Sequence, residues 1–333
     1  MRYYLYALTL TLAAALPLCA EMPRRPVATY SIVARDSLTG QLGVAVQSHW
    51  FSVGPIVPWA QSGVGAVATQ SFVDPAYGPL GLEMMALGHS APRALAGLLA
   101  DDADRAVRQV AMVDAQGRVA VHTGERAIVA AGHHAGFQYS VQANLMDRDS
   151  VWPAMARAYE TTAGDLADRL LAALEAAEAE GGDIRGRQSA ALLIVAGQPS
   201  GRPWADRLFD LRVEDHPDPN GELRRLVSLQ RVYHKLNEGD EWVTRGDMAQ
   251  AMEAYRAATQ LQPDRATNGE AAFWTGVTLA DQGQIEQALP YLARAAAQDA
   301  RWIRLLTRLP ASGLLPTDKP LMQRLQAAMQ EGQ

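Results

Sequence analysis

Thr29 carries a hydroxyl at the head of the first strand the sequence offers, and a hydroxyl there is what an N-terminal nucleophile requires. A threonine Oγ attacks poorly until a base takes its proton. When threonine opens the mature chain, its own α-amine titrates near neutrality, at roughly pH 8, and can be that base. Ser31 shares a strand face with Thr29, because side chains two apart point the same way, and could assist the proton transfer. Acyl transfer also needs donors for a developing oxyanion. Asn144, ending a strand over 139–144, is the leading side-chain candidate, and Gln188 or Ser189 at the head of a later strand could add another. Gln47 and Ser48 close a hairpin opposite Thr29 and are placed to orient an amine. Asp183 with Arg185 or Arg187 could supply the charged support that tunes it.

Each residue also has a plainer reading. Thr29 could be a strand former, Asn144 could cap the turn before Asp147, and the polar cluster at 183–189 could be a satisfied loop whose Asp–Arg pair lies at the surface. His49 and His122 are isolated, which suits hydrogen-bonded structural histidines. His133 and His134 are adjacent in an extended segment, so their rings diverge, and no acidic partner stands at ligand spacing. No metal site is expected, and no cofactor. The pair Gly63-Val-Gly lacks the later glycine and helix start of a dinucleotide or phosphate loop.

The elements that must hold these residues read as strand pairs and helix pairs. Apolar runs at 32–34 and 42–46 flank Asp36-Ser-Leu-Thr-Gly40, which has turn chemistry and a glycine suited to positive φ, so a hairpin opens the domain. A glycine-bearing strand follows at 63–69, then helical spacing over 80–99 with Pro92 at a helix start. A second hairpin joins 109–114 to 118–123. After the 139–144 strand come helices at 151–159 and 166–180, stopped by Gly181-Gly182. The apolar run 190–196 reads as a buried central strand and 209–213 as an alternating one. This order suits a layered α+β sandwich.

Composition bounds the partners. The 333 residues are 48% hydrophobic, enough for one large and one smaller core. A net charge of -6 with no Lys/Arg cluster argues against nucleic-acid binding. Residues 7–18 form an apolar stretch of signal-peptide length, too short to span a bilayer, so 1–20 reads as an export signal, with 21–27 as an exposed linker or propeptide. That places the mature protein in the periplasm or outside the cell, without a transmembrane segment. Cys19 is the single cysteine, so no disulfide forms; Leu18 before it is too large for usual lipoprotein processing.

Five motifs carry a family resemblance: Thr29-Tyr-Ser-Ile-Val-Ala-Arg-Asp36, Gly43-Val-Ala-Val-Gln-Ser48, Gly63-Val-Gly-Ala-Val-Ala-Thr-Gln70, Tyr77-Gly-Pro-Leu-Gly-Leu-Glu83 and Gly182-Asp-Ile-Arg-Gly-Arg-Gln-Ser-Ala-Ala-Leu-Leu193. Together they resemble the DUF1028 family of the Ntn-hydrolase superfamily over most of 28–220. The resemblance implies a four-layer αββα sandwich in which Thr29 is the nucleophile and Ala28-Thr29 the bond cut to free it. Cleavage after Ala20 would leave eight residues ahead of Thr29, blocking the amine until a second cut.

From 223 to 333 strand signals vanish. Gly239, Trp242, Gly246, Ala251, Tyr255, Ala258 and Pro263 stand at tetratricopeptide-like offsets, and Gly276, Gly283, Ala288, Leu292 and Ala295 repeat them, with 302–329 as a cap. Two functions follow. One is an exported amidohydrolase acting on a small amide or peptide through a threonine acyl-enzyme. The other is a non-catalytic binding or scaffold protein that recruits a protein partner through its helical repeats. Self-association is left open.

Overall fold

The computed structural model describes residue 27 and residues 29–331; the export signal and most of the expected linker lie outside the described residues. Two antiparallel sheets form the first part. One has six strands in the order β10-β9-β2-β1-β8-β7, and the other has four in the order β3-β4-β5-β6. The opening hairpin is β1 (Thr29–Arg35) with β2 (Leu42–Ser48), turned at Gly40 with φ 74°. Beside β1 runs β8 (Tyr139–Asn144), and beside β2 runs β9 (Ser189–Val195). At the edges lie β7 (Gly132–Gly136) and β10 (Arg207–Val213). The second sheet comprises β3 (Pro58–Gln61), β4 (Gly65–Ser71), β5 (Arg108–Asp114) and β6 (Val119–Thr123).

Side-chain alternation explains the layers. Val33, Val44 and Val46 of the first sheet meet Ala66, Ala68, Ala111 and Val113 of the second in one buried core. On the outer face of the first sheet, Ile32, Val141 and Leu192 pack on α3 (Val151–Thr161) and α4 (Leu166–Ala179). The outer face of the second, Val67, Val110 and Met112, packs on α1 (Tyr77–Ala86) and α2 (Ala91–Asp101). Pro92 sits in the first turn of α2, where a missing N–H is harmless. Strands β3 and β7 were not legible: β3 begins with a proline, and β7 is Gly-His-His-Ala-Gly, with weak strand propensity.

The remainder is helical. Helix α5 (Pro219–Thr244) starts under the first sheet, where Leu223 and Val227 join its outer core, and runs on to place Val232 and Leu236 in a second core. The boundary expected at 220–223 therefore falls inside one continuous helix. That second core is completed by α6 (Met248–Leu261), α7 (Glu270–Asp281), α8 (Ile285–Gln298), α9 (Arg301–Leu306) and α10 (Lys319–Glu331). Two helix pairs repeat one contact. A Cβ on Gly239 of α5 would lie 2.4 Å from the Tyr255 ring of α6, and one on Gly276 of α7 would lie 2.8 Å from Leu292 of α8. The small residue admits the large one, which sets how closely each pair approaches. Among the described residues no helix is long and apolar enough to cross a membrane.

Candidate functional site

The first sheet carries a row of polar side chains across four strands. Register pairs Ser189 with Ser48, Ser48 with Thr29, and Thr29 with Asn144, and all four are fully buried. Alternation points them at the second sheet, on the face that carries valines further along the same strands. Thr29 Oγ1 donates to Val27 O at 2.8 Å and lies 3.1 Å from Ser48 Oγ. Val27 itself crosses to the second sheet, exchanging backbone hydrogen bonds with Ser71 at 2.7 and 3.0 Å. Val27 therefore bridges the gap between the sheets, and its carbonyl lies against the Thr29 hydroxyl.

Behind this row sits a network of amides. Ser31 Oγ donates to Gln70 Oε1 at 2.6 Å and accepts from Gln142 Nε2 at 2.6 Å. Gln70 Nε2 donates to Thr29 O at 3.1 Å and to Gln109 Oε1 at 2.7 Å. Asn144 Nδ2 donates to the same Gln109 Oε1 at 2.9 Å and reaches Thr29 O at 3.4 Å. Gln109 Nε2 in turn donates to Ala143 O and Thr123 Oγ1, both at 2.9 Å. Gln70, Gln109, Gln142, Asn144 and Ser31 are all 0% exposed. Two buried polar atoms are left over: Asn144 Oδ1 and Ser71 Oγ have no hydrogen-bond partner among the described residues. Both adjoin backbone in the left-handed region, with φ 71° at Ser71 and 57° at Leu145. Unpaired buried polar atoms and positive φ at non-glycine residues each cost free energy, and such costs collect at sites kept for function.

The remaining candidates are placed as follows. The Asp183 carboxylate is fully buried; it accepts from His49 N at 3.1 Å and from Arg185 N, Nε and Nη2 at 2.9, 3.0 and 2.8 Å. Its loop also binds the end of β8, through Ile184 N to Leu145 O and Asp147 N to Gly182 O. Asp183 thus ties together the strand ends that carry Ser48 and Asn144. This pair is not the surface ion pair of the plainer reading. Arg187 is elsewhere, bound to Glu178 at 2.6 Å on the outer side of the sheet. That same Glu178 accepts from the Tyr30 hydroxyl, which burial, then Glu178, hold well above the usual phenol range. Ser189 Oγ is engaged by Trp50 O and Val53 N, so it holds the 50–53 turn. Gln188 stands one residue before β9, where its carbonyl accepts from His216 N. Gln47 faces the helix layer, away from Thr29, with both amide atoms buried and unpaired among the described residues. His133 Nδ1 lies 2.8 Å from Thr123 Oγ1, and His134 lies beside the Tyr139 ring. Among the described residues no group of three His, Cys, Asp or Glu side chains is placed to hold a metal ion.

Residues 29–223 match the model of a family of unknown function, DUF1028. The chain belongs to the DUF1028 family. A crystal structure of a Silicibacter pomeroyi protein assigned to DUF1028 is 30% identical, with a TM-score of 0.53, covering 60% of this chain and 88% of that one. No curated protein matches the chain. In this DUF1028 protein, the match starts at the residue that heads the polar row. Sequence reasoning missed Gln70, Gln109, Gln142 and Thr123. The available signal was a glutamine in phase with inward-facing Ala68 on β4 and another in phase with Ala111 on β5, where an apolar side chain is expected.

Proposed function

We propose that this protein is an exported Ntn-type amidohydrolase whose nucleophile is Thr29, on a four-layer αββα sandwich of that superfamily. The observation that carries the reading is the position of Thr29: first residue of β1 and of the family match, fully buried, at the centre of a hydroxyl and amide row. Breaking the Ala28-Thr29 bond would create an α-amine on the residue that the strand register pairs with Asn144, whose Oδ1 has no partner among the described residues and would be the acceptor for one of its protons. The same cut would remove Val27 and its carbonyl from the Thr29 hydroxyl, opening the space between Thr29 and Ser71 to an acyl group.

The chemistry then follows from the residues. The amine takes the Oγ1 proton, Oγ1 attacks the amide carbonyl, and the oxyanion meets Asn144 Nδ2 as donor. The amide nitrogen leaves with a proton from the Thr29 ammonium, giving a threonyl ester. Water, deprotonated by the same amine, attacks the ester and releases the acid. Ser48 and Ser31 orient the hydroxyl and the amide network, and Asp183 with Arg185 fixes the strand ends.

A second reading has its own observation. With Val27 in place, the Thr29 hydroxyl is engaged and the row is closed. A chain that keeps this segment would act as a binding protein through its tetratricopeptide-like helices. Intact mass and N-terminal sequencing of protein from its exported location separate the two. A chain starting at Thr29, and a Thr29→Ala variant that keeps its leader and hydrolyses no amide, support the hydrolase. A leader that persists on incubation overturns it.

A further inference from the structure

The sandwich opens a second time, at the end of the sheets remote from Thr29. A cavity of about 600 Å³ lies between β3, α1 and the 196–206 loop that joins β9 to β10. Strand β9 runs from Ser189, beside Ser48, to Val195 in the cavity wall, so about 20 Å of strand separates the two openings. The wall is fixed rather than draped. Pro199 rides on Gly63, where a Cβ would come within 2.8 Å of its ring, and Ala196 N donates to Asp206 O at 2.8 Å across the loop's base.

Three features of the lining point to one ligand chemistry. Asp206 is only 6% exposed, yet its carboxylate meets nothing but Ser200 N, at 3.0 and 3.3 Å, and no cation among the described residues. Glu83, on the opposite wall, is likewise without an ion pair among the described residues, while the one lining guanidinium, Arg207, is held by Asp210 at 2.9 Å. The cavity therefore carries two uncompensated carboxylates. Trp59 supplies the second feature. Its ring is pressed on Gly78, where a Cβ would lie 2.3 Å away, and its N–H is engaged by Ile56 O at 3.1 Å, so it has only π surface to offer. Such a face attracts a cation. The third feature is Ser62, 9% exposed, whose Oγ has no hydrogen-bond partner among the described residues.

We propose that this cavity is a binding site for a small organic cation, a primary ammonium on a short apolar or aromatic stem, independent of the Thr29 chemistry. The ammonium lies between Glu83 and Asp206, with the stem along Trp59 and the proline walls. Isothermal titration of the full chain at neutral pH tests it with 2-phenylethylammonium, and with 3-phenylpropionate as a probe of similar shape and opposite charge. The cation is expected to bind with Kd on the order of 0.1–1 mM and the anion at least about tenfold more weakly. Glu83→Gln, on an exposed helix position, weakens the cation about fivefold, the effect of losing one half-exposed charge pair. Asp206→Asn keeps an acceptor for Ser200 N–H and weakens it by a similar or larger factor. Thr29→Ala, which removes the proposed hydrolysis, leaves the affinity for the cation unchanged. Equal affinity for the two probes, indifference to Glu83→Gln, or no binding of the cation up to about 10 mM overturns the proposal.

Discussion

The two ends of the core between the sheets are built on the same strands and the same alternation, and they are filled in opposite ways. At the end near the β1–β2 turn, Val33, Leu42, Val44, Ala66 and Val113 pack without a polar atom. At the other end the equivalent face of β1, β4, β5 and β8 presents Thr29, Ser31, Gln70, Gln109, Gln142 and Asn144, all fully buried. Apolar burial is favourable over every Å² removed from water. A paired buried amide returns only about 1 kcal/mol net, and an unpaired one costs more than that. Valine or leucine at all of the polar positions together, leaving no partner unpaired, would make a more stable sandwich. The hydroxyl and amide end is therefore a place where stability is given up for an arrangement of donors and acceptors, and the valine end is what holds the two sheets in register while that happens.

The largest effect expected from this contrast comes at the apolar end. Leu42→Ala leaves a void in a close-packed layer and should lower unfolding free energy by about 3 kcal/mol, read from a denaturant midpoint. At the polar end, Gln109→Leu removes the acceptor shared by Gln70 and Asn144 and the donor to Thr123, and should cost about 2 kcal/mol despite the added apolar surface. If Gln109→Leu is instead neutral or stabilising, the network contributes nothing as a connected unit, and the contrast between the two ends reduces to one of composition.

Next in size is an acid-sensitive ion pair on the same side of the molecule, at the start of β5. Asp102 receives Arg108 Nε at 2.8 Å and the Tyr77 hydroxyl at 2.9 Å, and Arg108 also donates to Phe72 O at 2.6 Å, just beyond Ser71. Burial alone would raise the Asp102 carboxyl; Arg108, the Asp104 N–H and Tyr77 outweigh it and hold the group below its ordinary 3.8. A carboxyl depressed in the folded state contributes stability that is present above 3.8 and is lost as pH falls through the lower folded value. Asp102→Asn should cost about 2 kcal/mol at neutral pH, by leaving the buried Arg108 with only the more distant, exposed Asp104 carboxylate at 3.9 Å. The difference from the parent should shrink below about pH 4, a convergence that unfolding curves across pH would detect.

The strand pairs and their alternation were legible because hydrophobic period and turn chemistry agree: Asp36 to Gly40 makes one turn, Gly117 another, and β9 is apolar from Ala190 to Val195. Thr29, Ser48 and Asn144 were legible as polar residues at strand ends, and Ser31 as sharing the Thr29 face. What the pattern hid were contacts set by long-range packing. Gln70 and Gln109 lie on a different sheet from Thr29, and nothing local says which glutamine faces which hydroxyl. Arg187 was grouped with Asp183 on proximity in sequence, but the chain turns at Gly186, with φ 103°, and sends Arg187 to Glu178. The boundary between sandwich and helices was hidden because α5 serves both cores. Its early residues pack under the sheet, and its later ones pack on α6.

The smallest effect tests whether the polar end communicates with solvent. His133 is exposed on β7 and lies 2.8 Å from Thr123 Oγ1, which accepts from Gln109, which accepts from Asn144. The Thr123 hydroxyl accepts from Gln109 and keeps a hydrogen that can donate to His133 Nδ1 when that nitrogen is unprotonated. Partial burial, then the neighbouring His122 and His134, lower the His133 midpoint from 6.5. A histidine kept neutral by the fold contributes stability that is fully present above 6.5 and is lost as pH falls to its folded midpoint. The ring-proton titration of His133, followed by NMR, should have its midpoint below 6.5, and if the Thr123 hydroxyl donates to the neutral ring, Thr123→Val should move that midpoint up. A titration at 6.5 or above, unmoved by Thr123→Val, would isolate the amide network from the surface. The polar end would then be closed off from the surface at this edge, with Val27 covering the Thr29 hydroxyl at the other.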